Sequence, residues 1–545
     1  MTSKKRHQSK KFFGSILLIL ACNISLTGQC FDVFYNKGQR LAKEDNFENA
    51  ISQFRAAARC SDITVQQRKV LDVALEEAQT GYVTSINLAR KKAEKAQKEA
   101  EEQARIAKKQ LIITEGNRIS FLADQELATG DPKDGLALAY RAYSMVDSML
   151  IPKVKLSFGD AVFKNYAQIL DANGSSQMDV LLSDKADFAL ARTDTKELIL
   201  WDLENAEMKK LPGVEHHVYS MAFSPDGTKI FAGLSNGNIL SWTLDGQFKE
   251  ELEGHEAEVS GLEFSEDGRY MLSWSRDGSV QLWDMQENKS ISLAENNAPM
   301  ASAFFSSNVF PVITYALDGT VSLWNHSGNL MAELKHDASI YGVDLSADGS
   351  AILTCSADGF AKLWNESGQL ETIFDHKGQL VTTAKFLPGS ERILTTSGEG
   401  SIRIWNTSGK VLNEETNLGK FIYHSDVNQD GHILSSLDDY SILLWNPEAD
   451  HKKILRQHAG RIRVLQFSQD GKHILSGSED GAIKIWDLKG DVVLNMRDDK
   501  HRFNKAYLSH DDKWVIGILS DGSVVITPMP SNLYQEFKNN VRSVP

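Results

Sequence analysis

A histidine, a hydroxyl and a carboxylate recur in that order along this chain. His255, Ser273 and Asp277 are followed by His336, Thr354 and Asp358, and later by His458, Ser476 and Asp480. A fourth set, His376, Thr395 and Glu399, carries the longer acid. These are the ingredients of nucleophilic catalysis, where a carboxylate orients an imidazole that takes the hydroxyl proton. An enzyme needs one such centre, not four. In each set a tryptophan follows the acid: Trp283, Trp364, Trp405 and Trp486. The repetition points to a structural role for all of these residues.

The tryptophans belong to a longer series. Trp201, Trp242, Trp283, Trp324, Trp364, Trp405, Trp445 and Trp486 are 41, 41, 41, 40, 41, 40 and 41 residues apart. A period of ~40–45 residues with Trp before Asp or Asn marks four-stranded propeller blades. The unit EGHEAEVSGLEFSEDGRYMLSWSRDGSVQLWD shows the elements, with hairpin turns at Asp267-Gly268 and Asp277-Gly278 between strand-like apolar runs. From about residue 166 to 530 the chain resembles the WD40 repeat family. That resemblance implies that His255, Ser273, Asp277 and Trp283, and their counterparts, form hydrogen-bonded tetrads that tie the strands of a blade together. Units two, four, seven and nine lack parts of the tetrad and are expected to be the weaker blades. A ninth unit ends at SDGSVVIT with Thr527 in the Trp position, so the array predicts a mainly β propeller of eight or nine blades. With nine units, either the ring is unusually large or a terminal unit is accessory.

Other motifs read as turns. Asn325-His326-Ser327, Asn365-Glu366-Ser367 and Asn406-Thr407-Ser408 fit the glycosylation triplet, but each precedes a Gly and follows a strand. Asp226-Gly227 and Asp470-Gly471 read as hairpin turns rather than calcium loops. No phosphate-binding Gly loop, zinc-spaced Cys/His set or nucleophile elbow occurs in the sequence. No cofactor or metal is therefore expected.

The region before the array reads as helical. Residues 1–29 carry Lys4, Lys5, Arg6, Lys10 and Lys11 ahead of the apolar FFGSILLILAC, too short to span a membrane and suited to a secretory leader. Ile19-Leu20-Ala21-Cys22 offers a lipoprotein alternative. Residues 30–80 are expected to form a helical hairpin. Gly38, Ala50, Phe54 and Ala57 match the pattern of one tetratricopeptide repeat, which this segment resembles. In such a hairpin Cys30 and Cys60 lie side by side, so export predicts a disulfide between them. Cys355, in the strand AILTCSADG, is expected to be a buried and unreactive thiol.

Residues 81–165 are expected to hold a long charged helix and a helical bridge. Ala89, Ala93, Ala96, Ala100, Ala104 and Ala107 give residues 82–112 a narrow, weakly apolar seam. It could self-associate or stand as a solvated spacer. Ile119–Leu127 and Gly135–Met145 are read as a further helix pair around Gly130-Asp131-Pro132. The segment SFLADQELATGDPKDGLALAYRAYSM is similar to helices that precede propellers in bacterial WD-repeat proteins. Residues 531–545 are left as a C-terminal tail.

Composition narrows the function. Of 545 residues, 41% are hydrophobic and 24% charged, enough apolar matter for an ordinary folded protein. Lys and Arg total 59 against 73 Asp and Glu, a net charge of −14, so nucleic acid is not an expected partner. The expectation is a non-enzymatic, exported platform, periplasmic or envelope-associated, that binds other proteins. An envelope assembly or transport accessory protein, or a propeller enzyme with a loop-borne site, are the alternatives. No small-molecule substrate is expected.

Overall fold

The computed structural model describes residues 29–542 except 62, 147–150, 171–176, 186, 204, 206, 296–297, 307–311, 326, 417, 419–420 and 499. The expected leader, with its alternative at Cys22, lies outside the described residues apart from Gln29, as does His326 of the first Asn triplet. The chain divides into two compact units, residues 1–111 and 112–545.

In the first unit, α1 (Gln29–Lys43) turns into α2 (Phe47–Ala57). Gly38 lets the two approach, because a Cβ there would fall 2.6 Å from the Phe54 ring. Phe31, Ala50, Phe54 and Ala57 share a core with Leu71, Ala74 and Ala78 of α3 (Val65–Thr129). The hairpin is thus completed by a third helix. A disulfide joins Cys30 to Cys60, with their Cα atoms 6.0 Å apart.

The sequence suggested a boundary at residue 80 and a separate helix over Ile119–Leu127. Instead one helix of 65 residues runs through both. Gly81 does not break it, because its missing Cβ seats the Phe47 ring, which a methyl group would meet at 2.4 Å. Packing of that ring outweighs the ~1 kcal/mol a helical glycine costs. The alanine seam is exposed, and Arg90–Glu94 (2.8 Å) and Arg105–Glu102 (2.7 Å) pair along the helix surface. Such solvated pairs contribute little.

The second unit is a nine-bladed propeller with its flanking helices. Among the described residues there are nine four-stranded antiparallel sheets. Blades 1 to 8 each use four consecutive strands, beginning at Gln177, Val218, Val259, Met300, Ile340, Val381, Ser425 and Ile462. Blade 9 takes three strands from Phe503–Pro528 and its fourth from Gln168–Leu170, with Gln168 opposite Ile526, Ile169 opposite Val525 and Leu170 opposite Val524. The first strands of neighbouring blades approach one another, which places them innermost.

An apolar seam separates every adjacent pair of blades. Trp283 packs with Phe231 and Val259 between blades 2 and 3, and Trp405 with Leu353 and Phe374 between blades 5 and 6. The seam between Val180, Ala189 and Ile199 of blade 1 and Ile516, Ile518 and Val524 of blade 9 closes the ring. The ninth unit is therefore a full member of the ring, not an accessory. Nine seams explain why the repeats need one another: a blade alone would expose both apolar faces.

The helices of this unit pack beside blades 8 and 9. Residues 112–129 of α3, α4 (Pro132–Val146), α5 (Pro152–Tyr166) and α6 (Pro530–Arg542) bury Ala123, Ala139, Phe158, Val162, Leu533 and Tyr534 together. Residues 530–542 are thus a helix, not a tail. The α5 helix lies on the outer strand of blade 8 so closely that a Cβ at Gly159 would meet the Val493 carbonyl oxygen at 1.8 Å. The buried Lys155 reaches from it to Asp487.

Candidate functional site

Antiparallel pairing puts the hydroxyl of each blade's second strand beside the tryptophan of its third. Ser273 faces Gln281 in the register that sets Met271 against Trp283, and the indole N–H of Trp283 donates to Ser273 Oγ at 2.9 Å. His255 Nε2 lies 2.7 Å from the same oxygen. In blade 5, Trp364 Nε1 donates to Thr354 Oγ1 at 2.9 Å, His336 Nε2 is 2.7 Å from that oxygen, and His336 Nδ1 is 2.7 Å from Asp358. Blade 8 repeats this, with Trp486 to Ser476 at 2.8 Å, His458 to Ser476 at 2.8 Å and His458 to Asp480 at 2.9 Å. The hydroxyl oxygen in each case is buried and already accepts an indole N–H, a poor arrangement for a nucleophile.

Two blades depart from the expected contacts. In blade 3, Asp277 is 3.8 Å from His255, and the hydroxyl of Ser279 stands between them, 2.6 Å from His255 Nδ1 and donating to Asp277 at 2.6 Å. In blade 6, Glu399 does not reach His376. Arg403 takes the acid's place, its guanidinium donating to His376 Nδ1 at 2.8 Å, while Glu399 and Glu414 flank Arg403. His376 Nε2 and Trp405 Nε1 both lie 2.7 Å from Thr395 Oγ1. A ring nitrogen that accepts from Arg must leave the proton on the other, so His376 carries it on Nε2, whereas His336 gives its Nδ1 proton to Asp358.

Sequence reading missed Ser279 and Arg403. For Arg403 a signal was present: a basic residue stands two places before the tryptophan at Lys362, Arg403 and Lys484. The weaker units also differ in detail. Trp324 donates to Thr314 at 3.0 Å in blade 4, Trp242 to the Pro212 carbonyl at 2.9 Å in blade 2. Trp445 Nε1 in blade 7 and Thr527 Oγ1 in blade 9 are buried without a partner among the described residues.

Burial keeps the tetrad imidazoles neutral. It lowers the pKa of His255 to about 4, and burial with the Arg403 charge lowers that of His376 to about 3. His336 and His458 are lowered by burial too, against the pull of Asp358 and Asp480. The Cys355 thiol, fully buried, is pushed up to about 12 and is inert.

Carboxylates nearer the axis stitch blades together. Glu263 accepts the Phe305 N–H at 3.2 Å, Asp344 that of Phe386 at 2.7 Å, and Asp426 that of Phe467 at 2.9 Å. Turn carboxylates and amides act locally as well. Asp226 accepts from Ser224 and Thr228, and Asn365 accepts the N–H groups of Ser367 and Gln369. Among the described residues no group of three or more His, Cys, Asp or Glu could hold a metal ion, and no helix is long and apolar enough to cross a membrane.

Exposed apolar side chains lie on the outer strands, as at Met331 (54%) and Ile373 (48%), and also at one end of the blades. In a four-strand meander the start of the first strand and the second hairpin lie at the same end. Tyr219 and Tyr341, second in their inner strands, are 41% and 54% exposed there, with Leu317 (50%) and Tyr440 (44%) on second hairpins.

Known proteins compare as follows. Residues 217–487, from the start of blade 2 through the tryptophan strand of blade 8, match the family described as the IFT122 first beta-propeller. Among solved structures, the computationally designed Ika8 protein is 20% identical over 66% of this chain and 98% of its own, with a TM-score of 0.46. No curated protein matches. By its sheets, their closure and the match across its blades, the chain is a nine-bladed, WD40-like β-propeller preceded by a helical region.

Proposed function

We propose that this chain is a non-enzymatic platform for other proteins, working in the exported space or at the cell envelope. The exposed Tyr219, Leu317, Tyr341 and Tyr440 at one end of the ring carry this reading. Aromatic side chains there bring large contact area at low entropic cost, as interface anchors do. The triad-like residues support it from the other side, since the tetrad oxygens are occupied by indole N–H groups. The Cys30–Cys60 disulfide supports export, because such bonds persist in oxidising compartments. The disulfide-clamped helices, which resemble a tetratricopeptide hairpin, offer a second binding element.

Cross-linking of the mature protein in its native envelope, followed by mass spectrometry, tests the reading. Partner peptides joined near Tyr341 are the expected result. A turnover by the purified protein that Ser273→Ala abolishes would show an enzyme instead.

A further inference from the structure

The two residues that flank the start of an inner strand vary from blade to blade. They are His217 and Tyr219 in blade 2, Ser339 and Tyr341 in blade 5, and Leu380 and Thr382 in blade 6. In blade 8 they are Arg461 and Arg463, and in blade 9 Arg502 and Asn504, with Lys505 next. Cations therefore gather at one sector of the rim of a chain whose net charge is −14.

That sector holds a cleft of about 580 Å³ between blades 8 and 9, lined by Arg463, Ser478, Glu479, Arg502, Asn504 and Lys505. Its size suits a short ligand segment, since ligand clefts run ~300–1,000 Å³. The cations are held in place from behind. Lys505 Nζ is 3.3 Å from Asp179, which also accepts from the Tyr507 hydroxyl at 2.7 Å. Arg463 is paired with Glu479, and Arg461 lies over the Tyr423 ring at 4.7 Å. Arg502 differs: it is exposed, and among the described residues no carboxylate pairs with it.

We infer that this cleft takes an acidic peptide segment of a partner protein. The inference rests on the platform reading above and names the chemistry of one partner. Three cations against one carboxylate leave the lining positive, and Asn504 and Ser478 add neutral hydrogen-bonding groups suited to peptide. Arg502 supplies a planar fork that matches a carboxylate.

Fluorescence anisotropy of a labelled octaglutamate peptide against the full chain tests this. The exposed Arg502 can be changed to Glu while keeping the Cβ and Cγ that lie over Gly481, and thermal midpoints check folding. Octaglutamate is expected to bind the natural chain in a salt-sensitive way, roughly tenfold more weakly to Arg502→Glu. Arg276→Glu, on the rim of blade 3, is expected to leave binding unchanged. Equal affinity for Arg502→Glu would overturn the inference, since the peptide would then be held elsewhere. Binding of inorganic phosphate with the same Arg502 dependence, without octaglutamate binding, would also overturn it. A partner that still co-purifies with Arg502→Glu overturns the acidic-peptide assignment and leaves the platform reading standing. Turnover that depends on Ser273 overturns that reading itself.

Discussion

Trp283 shows what a tetrad residue contributes. It fills the seam between blades 2 and 3 and donates to the buried Ser273 oxygen. Trp283→Ala removes a large side chain and strands a polar partner, so it is expected to cost ~3–5 kcal/mol. Calorimetry that shows a shift no larger than an exposed Lys substitution would contradict this placement. Ser273→Ala leaves His255 Nε2 and Trp283 Nε1 short of a partner, and should cost ~1–3 kcal/mol. The imidazoles add a pH dependence. The folded pKa values, about 4 for His255 and about 3 for His376, lie below the unfolded 6.5. The unfolded chain therefore binds protons first as pH falls, and this stability, full above about 6.5, is lost on the way down to 4 and 3. Thermal midpoints that rise between pH 7 and pH 5 in an Asp160→Asn background, which removes an opposing carboxylate, would contradict it. The identities of the tetrad residues were legible from repetition. The exchange of Glu399 for Arg403 was not, because spacing shows where a residue stands along a strand but not which neighbour reaches the imidazole.

At the scale of elements, two features can be separated by experiment. The Cys30–Cys60 bond closes a separation of 30 residues in a small helical unit. Breaking it with Cys60→Ser is expected to cost ~3 kcal/mol by the loop-entropy argument. Hydrogen exchange should then speed up over α1 and α2 while the blades keep their protection. Where α5 meets blade 8, burial and the nearby Asp124 raise the pKa of Asp160 to about 6, and its Oδ1 has no partner among the described residues. The sign is opposite to that of the histidines. The raised folded pKa means that stability is fully present below the unfolded 3.8 and lost as pH rises through 6. Asp160→Asn is therefore expected to raise the melting temperature at pH 7, with the gain shrinking toward pH 4; a lowered midpoint at pH 7 would contradict this. Helix boundaries were the least legible part of the sequence. Gly81 reads locally as a breaker, and only the distant Phe47 ring explains why the helix runs on.

At the scale of the whole molecule, the period of the tryptophans made the propeller legible, and the blade number was not. Thr527 in place of tryptophan left the ninth unit ambiguous, and the short strand that the sequence shows near residues 166–170 does not itself say which blade it completes. Its pairing with the last strand and the seam between blades 1 and 9 decide for nine. Every exposed position assigned to partner binding depends on that closure. A cysteine pair tests it most directly. With Leu170→Cys and Val524→Cys, two directly opposed positions come within disulfide reach, and the inert Cys355 does not compete. The account predicts that oxidation links the peptide containing residue 170 to the one containing residue 524, within one chain and in high yield. Two free thiols under the same conditions, in a protein that remains folded, would contradict a nine-bladed ring closed by its first strand.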